Sequence, residues 1–503
     1  MTRRLGLRTV TVGARAFLLA AALTSAGVPA ASAAQAPPAA AGIAAIDPVR
    51  LTGLADFVDG VMAEQIAARE VAGAVVTVVH DGRILFSRGY GYADVEARRR
   101  VDPERTLFRP GSVSKLFTWV ALMQQVERGR VDLDADVNTY LDFTIPPLDG
   151  RPIRVRDLMQ HTPGMSDASG IITREADAPR DYREWLKTHI PARLWPAGGE
   201  ISYSNYGVTL AGYIVERVSS EPFADYVETH LFAPLGMRAS TFREPLTGAL
   251  AENMARGYEL VDGRFVAQPF EHIGAVMPAG SSSATAPDMA RFMLALLGGG
   301  QLGSARILEP ASVALLTRNS IANTPSLPGM AHGFYVIQEA GPRVVGHGGN
   351  TGDFHSNLVI APEHGFGFFV STTGGRGSGT GRTDLTNAIL GRLFPQAPAP
   401  RWTASGDAPQ PVMGAYRANR RDYSRPPRPE YDLRISMPDP NRLLIENMEG
   451  KTAWERIGPM RFEQVTGARE GGPYNRLEFF GTADDPRLAF SFEPYQSYRL
   501  VRP

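Results

Sequence analysis

Strand-like runs bracket a long helical stretch, and that order restricts the fold more than any other property of this sequence. Val75–Val79 and Ile84–Phe86 flank His80-Asp81-Gly82-Arg83, where Asp-Gly marks a corner between two strands. Ahead of them, Leu51, Leu54, Phe57, Val58, Val61 and Ile66 recur at helical spacing. From about residue 112 to 297 the apolar pattern is mostly helical, broken by Pro and Gly loops. Strand character returns at Phe334–Ile337, Val344–Gly346, Asn357–Ile360 and Phe366–Thr372. Strands at both ends of a helical body predict one α+β domain over residues 45–393, its terminal segments paired in a common sheet.

The flanks differ in character. Residues 1–33 read as an export signal: Arg3, Arg4, Arg8 and Arg15, then an apolar stretch from Ala16 to Leu23, then Ala31-Ser32-Ala33. The apolar run is too short to span a bilayer, and no other is long enough, so no membrane span is expected after signal removal. Paired arginines at Arg3-Arg4 leave both general and twin-arginine export open. The expected destination is periplasmic or secreted. Residues 34–44 read as a disordered spacer and 394–411, with Pro spaced through small and polar residues, as a linker. Residues 412–503 carry short alternating runs at Tyr431–Ile435, Arg442–Ile445, Arg476–Phe480 and Leu488–Phe492. They predict a small all-β domain, sandwich or barrel.

Composition mostly excludes. The chain has no cysteine, so disulfide scaffolds, zinc–thiolate sites and cysteine nucleophiles are ruled out. Basic and acidic residues balance at 52 each, which leaves no footprint for nucleic acid. Beneath that balance lies an asymmetry: Lys115, Lys187 and Lys451 are the only lysines, and arginine supplies the rest of the positive charge. Arginine does not deprotonate, whereas a desolvated lysine can.

One of those lysines stands in Arg109-Pro110-Gly111-Ser112-Val113-Ser114-Lys115, which opens a helix along Leu116, Phe117, Val120, Met123 and Val126. Ser112 and Lys115 are three apart and share a face of the first turn. There the amine can approach the hydroxyl, and the helix N-terminus disfavours its positive charge. Exposed backbone N–H groups can receive an oxyanion. A serine hydroxyl becomes a nucleophile only when a neighbouring base takes its proton. With three lysines, a Ser-x-x-Lys arises by chance roughly one time in six. A Ser-capped helix with an exposed lysine is the plain alternative.

Two further motifs follow. Tyr203-Ser204-Asn205 is the only Tyr-x-Asn in the chain, and Val345-Gly346-His347-Gly348-Gly349-Asn350-Thr351-Gly352 runs from a strand into glycines. Glycine there lets another chain or a substrate approach the backbone closely. Together the three motifs resemble the serine β-lactamase/penicillin-binding-protein superfamily, within it the class C β-lactamase-like branch of esterases, D-stereospecific peptidases and D-alanyl-D-alanine carboxypeptidases. Leu158–Gly164, Pro234–Met237 and Ala279–Asp288 are similar to that family as well, and the resemblance covers roughly residues 45–393.

The resemblance implies a β-lactamase/transpeptidase-like fold, an antiparallel sheet flanked by helices plus a mostly helical subdomain. It implies that Ser112 attacks a carbonyl to form an acyl-enzyme, with Lys115 and Tyr203 sharing the base role. Asn205 is expected to hold Lys115 and the substrate amide, and His347 to hydrogen-bond the Tyr203–Ser112 network. Gly348 and Gly349 carry the substrate-binding strand, and the oxyanion lies between the backbone N–H groups of Ser112 and Asn350. Class C β-lactamases carry lysine where this chain has His347, and histidine is mostly neutral at pH 7. The expected enzyme is therefore poor at β-lactams. It prefers a small-molecule ester or peptide-like amide, with peptidoglycan-derived peptides in range. A weakly catalytic peptidoglycan- or peptide-binding protein on the same fold is the alternative.

No cofactor and no metal are expected, since no histidine pair has ligand spacing. His355, which follows the glycine strand, reads as structural with a place lining the cleft as the alternative, and His161 reads as fixing its Pro-Gly turn. Gly374–Gly381 lacks the Gly-Lys-Ser/Thr of a phosphate loop, and no Gly-x-Ser-x-Gly elbow is present.

Overall fold

The computed structural model describes residues 46–175, 181–318, 320–339, 341–374, 380–404 and 409–502. The expected signal (1–33) and spacer (34–44) lie outside the described residues, as does most of the glycine-rich run at 374–381.

Seven antiparallel strands form the main sheet: β1 (Gly73–His80), β2 (Arg83–Asp94), β3 (Arg99–Arg100), β4 (Tyr335–Gln338), β5 (Val344–Asn350), β6 (Phe354–Ala361) and β7 (Phe366–Thr373). Their order is β3-β2-β1-β7-β6-β5-β4, so the first strand pairs with the last, Thr77 opposite Phe369. The common sheet expected from the sequence is present.

Successive residues of β1 face opposite sides, the period of a strand. Val76 and Val78 join a core with Leu54, Val58 and Met62 of helix α1 (Leu54–Ala67) and with the C-terminal helix at Thr380–Leu393. Val75 and Val79 face the larger core, which contains α2 (Lys115–Glu127), α3 (Asn205–Ser219) and α4 (Ala286–Leu297). Burial on both faces explains why β7 reads as a continuous apolar run. A hairpin, Gly257–Val261 with Arg264–Gln268, interrupts the otherwise mostly helical middle.

The tail closes into an eight-stranded barrel, β8 (Gly414–Ala418) to β15 (Tyr498–Leu500). Closure removes the unpaired edges a sandwich would keep. Its interior is filled by Tyr416, Leu433, Ile435, Leu443, Ile445, Trp454, Phe462, Leu477, Phe479, Leu488, Phe490 and Tyr498. The described part of the linker lies on the barrel, Trp402 N–H donating to Arg456 O at 3.0 Å.

Polar contacts dock the barrel on the larger domain. Glu200, whose side chain is 5 % exposed, accepts from Arg499 at 2.6 Å and Arg487 at 3.2 Å. Asn419 donates to the other Glu200 oxygen at 2.7 Å. Tyr203 N–H donates to Tyr495 O at 3.0 Å, so the barrel meets the backbone of a candidate site residue directly.

Candidate active site

Gly111 adopts φ 57, the left-handed region that glycine enters without steric cost. A tight turn over Gly111–Ser114 then delivers the chain into α2 at Lys115. Ser112 is half-buried and opens on a cavity, while Lys115 is wholly buried. The lysine Nζ lies 3.0 Å from Ser112 Oγ, 2.9 Å from Asn205 Oδ1 and 2.6 Å from Ala279 O. A neutral amine has two N–H donors and one lone pair, and two of these neighbours are carbonyl oxygens. With both carbonyls served, the lone pair is free to accept from the Ser112 hydroxyl. Burial holds the amine well below its ordinary value, Arg420 lowers it further and Asp167 opposes.

Tyr203-Ser204-Asn205 forms a helix start. Ser204 Oγ accepts from Gly207 N–H at 3.0 Å, which caps α3 and makes Asn205 its first residue. That cap fixes Asn205 against Lys115 and leaves Tyr203 just outside the helix. The Tyr203 ring is stacked on His161 at 4.2 Å and edge-on to Tyr495 at 5.7 Å. Arg420 of the barrel lies over it at 4.3 Å, and Lys115 Nζ is 4.9 Å from its centroid. Tyr203 shares side-chain hydrogen bonds with Ser112 and Tyr335. Burial pushes its phenol up to about 12, although Arg420 and those hydrogen bonds pull it down.

The glycine strand lies where the sequence puts it. A Cβ on Gly349 would come 1.9 Å from Pro110 O and 2.8 Å from Ser112 N, so only glycine lets β5 lie this close to the nucleophile turn. Asn350 follows, its side-chain oxygen held by His355 Nδ1 at 2.9 Å. His355 thus supports the strand from β6.

His347 departs from expectation. Its Nδ1 is 2.6 Å from Gly348 O, and its ring is stacked on Tyr335 at 4.2 Å and stands 6.2 Å from Tyr203. The ring next to His347 is Tyr335, carried by β4, and it is Tyr335, with Ser112, that interacts with the Tyr203 side chain. His347 Nε2 is buried with no hydrogen-bond partner among the described residues. Burial, reinforced by Lys115, lowers the imidazole to about 3, so it is neutral.

The structure brings Ser112, Lys115, Tyr203, Asn205, His347, Gly348, Gly349 and Asn350 to one place, together with Tyr335, Asp167, Arg420 and Tyr495, which no sequence motif marks. Arg420 donates to Asp167 Oδ2 at 2.9 Å, and Asp167 Oδ1 lies 3.5 Å from Asn205 Nδ2. The cavity over Ser112, about 550 Å³, is lined by the apolar Ile171, Ile172, Leu327 and Phe492 and by the polar Asn357 and Arg382 among others. Its wall is shared between the larger domain and the barrel.

The chain is similar to several known proteins. Esterase EstB of Burkholderia gladioli is 32 % identical over 221 residues, 40 % of this chain and 55 % of that protein. The crystal structure of SurE has a TM-score of 0.63 at 22 % identity, covering 90 % of this chain and 100 % of that one, and so reproduces the fold beyond the larger domain. D-amino acid amidase from Ochrobactrum anthropi SV3, complexed with L-phenylalanine amide, has a TM-score of 0.57 at 25 % identity, covering 68 % and 98 %. The chain spans between 54 % and 62 % of the length of the curated relatives it matches. The profile of the family described as Beta-lactamase matches residues 58–393, and the chain belongs to that family.

Proposed function

We propose that this protein is a serine hydrolase that cleaves esters or peptide-like amides through an acyl-enzyme on Ser112. One observation carries the reading: Lys115 Nζ sits 3.0 Å from Ser112 Oγ with both of its N–H donors matched to carbonyls. A buried amine so arranged is a base at neutral pH. Lys115 takes the Ser112 proton as Oγ bonds to the substrate carbonyl carbon. The oxyanion forms beside the Ser112 and Asn350 backbone. The Tyr203 hydroxyl, hydrogen-bonded to Ser112, relays a proton to the leaving oxygen or nitrogen as its bond to carbon breaks. Water then enters by the reverse route and frees the acid. With the phenol pushed up and the amine pushed down, Lys115 is the first acceptor and Tyr203 the relay.

The substrate preference belongs to the same proposal. A neutral His347 supplies no fixed charge on the glycine strand, which favours ester or amide turnover over β-lactams. EstB and the D-amino acid amidase, named for ester and amide substrates, support that range. Export to the periplasm or beyond is proposed from the signal pattern of residues 1–33 alone, and N-terminal sequencing of the exported protein is expected to begin after Ala33.

A fluorophosphonate probe tests the nucleophile: Oγ bonds to phosphorus and fluoride leaves. Labelling is expected in the wild type and absent in Ser112→Ala. An unlabelled, well-folded wild type would instead identify a binding protein. Turnover of p-nitrophenyl butyrate is expected to exceed that of nitrocefin, and equal rates would remove the substrate preference.

A further inference from the structure

We propose that Arg420, carried by the barrel, is an electrostatic positioning residue for the Ser112 machinery, so that the catalytic site is complete only when the barrel is docked. The proposal rests on the hydrolase reading above but not on which group is the base.

The geometry carries it. Arg420 immediately follows β8 and Asn419, and Asn419 is pinned to Glu200 at 2.7 Å and to Ile201 O at 2.9 Å. That anchor sits beside the segment leading into Tyr203, and it aims the next side chain across the domain boundary. The guanidinium then lies 4.3 Å from the Tyr203 ring and 5.8 Å from that of Tyr495, with Nε on Asp167 Oδ2 at 2.9 Å. Asp167 in turn faces Asn205, the residue that holds Lys115. The barrel's cation therefore touches both the relay and, through two side chains, the base.

The titratable groups around this centre come from several places, and the C-terminal helix supplies a second cation, Arg382, which faces Tyr335, Tyr495 and His347, whereas Arg420 is the one that acts on Lys115 and Tyr203. The nucleophile turn and α2 supply Lys115, and the 161–167 segment supplies His161 and Asp167. β4 and β5 supply Tyr335 and His347; the barrel supplies Arg420, Tyr495 and Glu493. Burial holds His161 and His347 below their ordinary values, which leaves them neutral, and holds Lys115 well below its own. An arginine keeps its charge. It acts in the same sense on both candidate bases, lowering Lys115 and lowering Tyr203, so its removal raises whichever of them titrates.

The experiment compares full-length wild type, Arg420→Met and Arg420→Lys. It measures kcat/KM for p-nitrophenyl butyrate and the fluorophosphonate inactivation rate from pH 5 to 9. In Arg420→Met the rising limb of both profiles is expected to move alkaline by about one unit, a loss of about tenfold on the limb. Arg420 lines the cavity, but the apolar contacts of Ile171, Ile172, Leu327 and Phe492 are untouched by the substitution, so KM is expected to stay within about twofold. Arg420→Lys restores the charge and is expected to return the limb to within about 0.3 unit of wild type. A folded Arg420→Met with its limb unmoved overturns the proposal, because a docking role alone lowers stability without moving a pKa. If Arg420→Met does not fold, Arg420→Lys decides: a limb displaced by a full unit overturns the charge argument, and an unmoved limb supports it. Wild-type protein that no fluorophosphonate labels defeats the hydrolase reading and this proposal with it. Labelling that Ser112→Ala abolishes leaves the hydrolase reading standing whatever Arg420 does.

Discussion

The main sheet and the barrel are both antiparallel throughout, yet they reach the cleft by different means. In the main sheet the strands themselves enter it: β5 carries His347 to Asn350, held in register by β6, with His355 opposite Asn350. In the barrel the strands are mostly occupied with their own core, and what reaches the cleft comes from connecting segments and a strand's first residue: Arg420 after β8, Phe492 and Tyr495 before β15, and Arg476. Groups fixed by a hydrogen-bonded ladder meet reacting atoms with little freedom, which suits an oxyanion donor such as the Asn350 backbone. Groups on connecting segments supply charge and wall, where placement tolerates more slack. The sharpest way to break this contrast is to disable each side and compare the losses.

The largest loss belongs to the main-domain side. Lys115→Arg keeps a cation but provides no lone pair, and its larger head must fit a wholly buried site. A fall in kcat/KM of about 10³-fold is expected, read by steady-state kinetics beside a circular-dichroism check of folding. A variant retaining a tenth of the activity would mean that Lys115 is a placeholder.

Gly349→Val strikes the ladder. The new Cβ would meet Pro110 O at 1.9 Å, a backbone atom that cannot swing aside, so β5 and the nucleophile turn must separate. Displacing one oxyanion donor in this way should cost about 10²-fold in kcat. Stopped-flow acylation is the direct measurement, and unchanged acylation would place the oxyanion elsewhere.

The parts that were legible in the sequence are the local ones. Ser112 and Lys115 lie in one turn, and Lys115 stood out because only three lysines occur. Its counterpart Lys187 shows the ordinary use, about a third exposed and paired with Asp142 at 3.1 Å. The glycines of β5 are also a local signature, since close approach of two backbones requires them. Arg420 had no such mark: it is one of many arginines, and its partner Asp167 is 253 positions away. Tyr335 sat in a run recognised as a strand, but nothing in a strand period says which side chain meets a phenol. In the barrel, the strand at Gly450–Arg456 escaped detection because Ala453 and Trp454 are both buried, which spoils the alternation. A closed barrel follows from which strand pairs with which, and that is not written in any one strand.

The barrel's attachment gives the next comparison. Glu200→Ala removes the acceptor of Asn419, Arg487 and Arg499. Both arginines are partly exposed and also pair with Asp485, so the cost is below that of a fully buried pair, about 2 kcal/mol. Chemical denaturation should show that loss. Activity should fall with it by less than tenfold, because Arg420 loosens without leaving. Lost stability with unaltered kcat would mean that the barrel only props the fold.

The smallest effect is the most discriminating. Asp167 lies between the two sides: it raises Lys115 and Tyr203 while it holds Arg420. Asp167→Asn removes the negative charge and keeps a side-chain oxygen of similar reach. If Arg420 stays seated on the rings of Tyr203 and Tyr495, both candidate bases titrate lower, and the rising limb of kcat/KM moves to lower pH by less than one unit. That is the expected result, because the stacked guanidinium does not depend on one carboxylate. An alkaline displacement would mean the opposite, that Asp167 is what keeps the arginine over the phenol. The barrel's contribution would then be set from the larger domain rather than by the barrel's own fold.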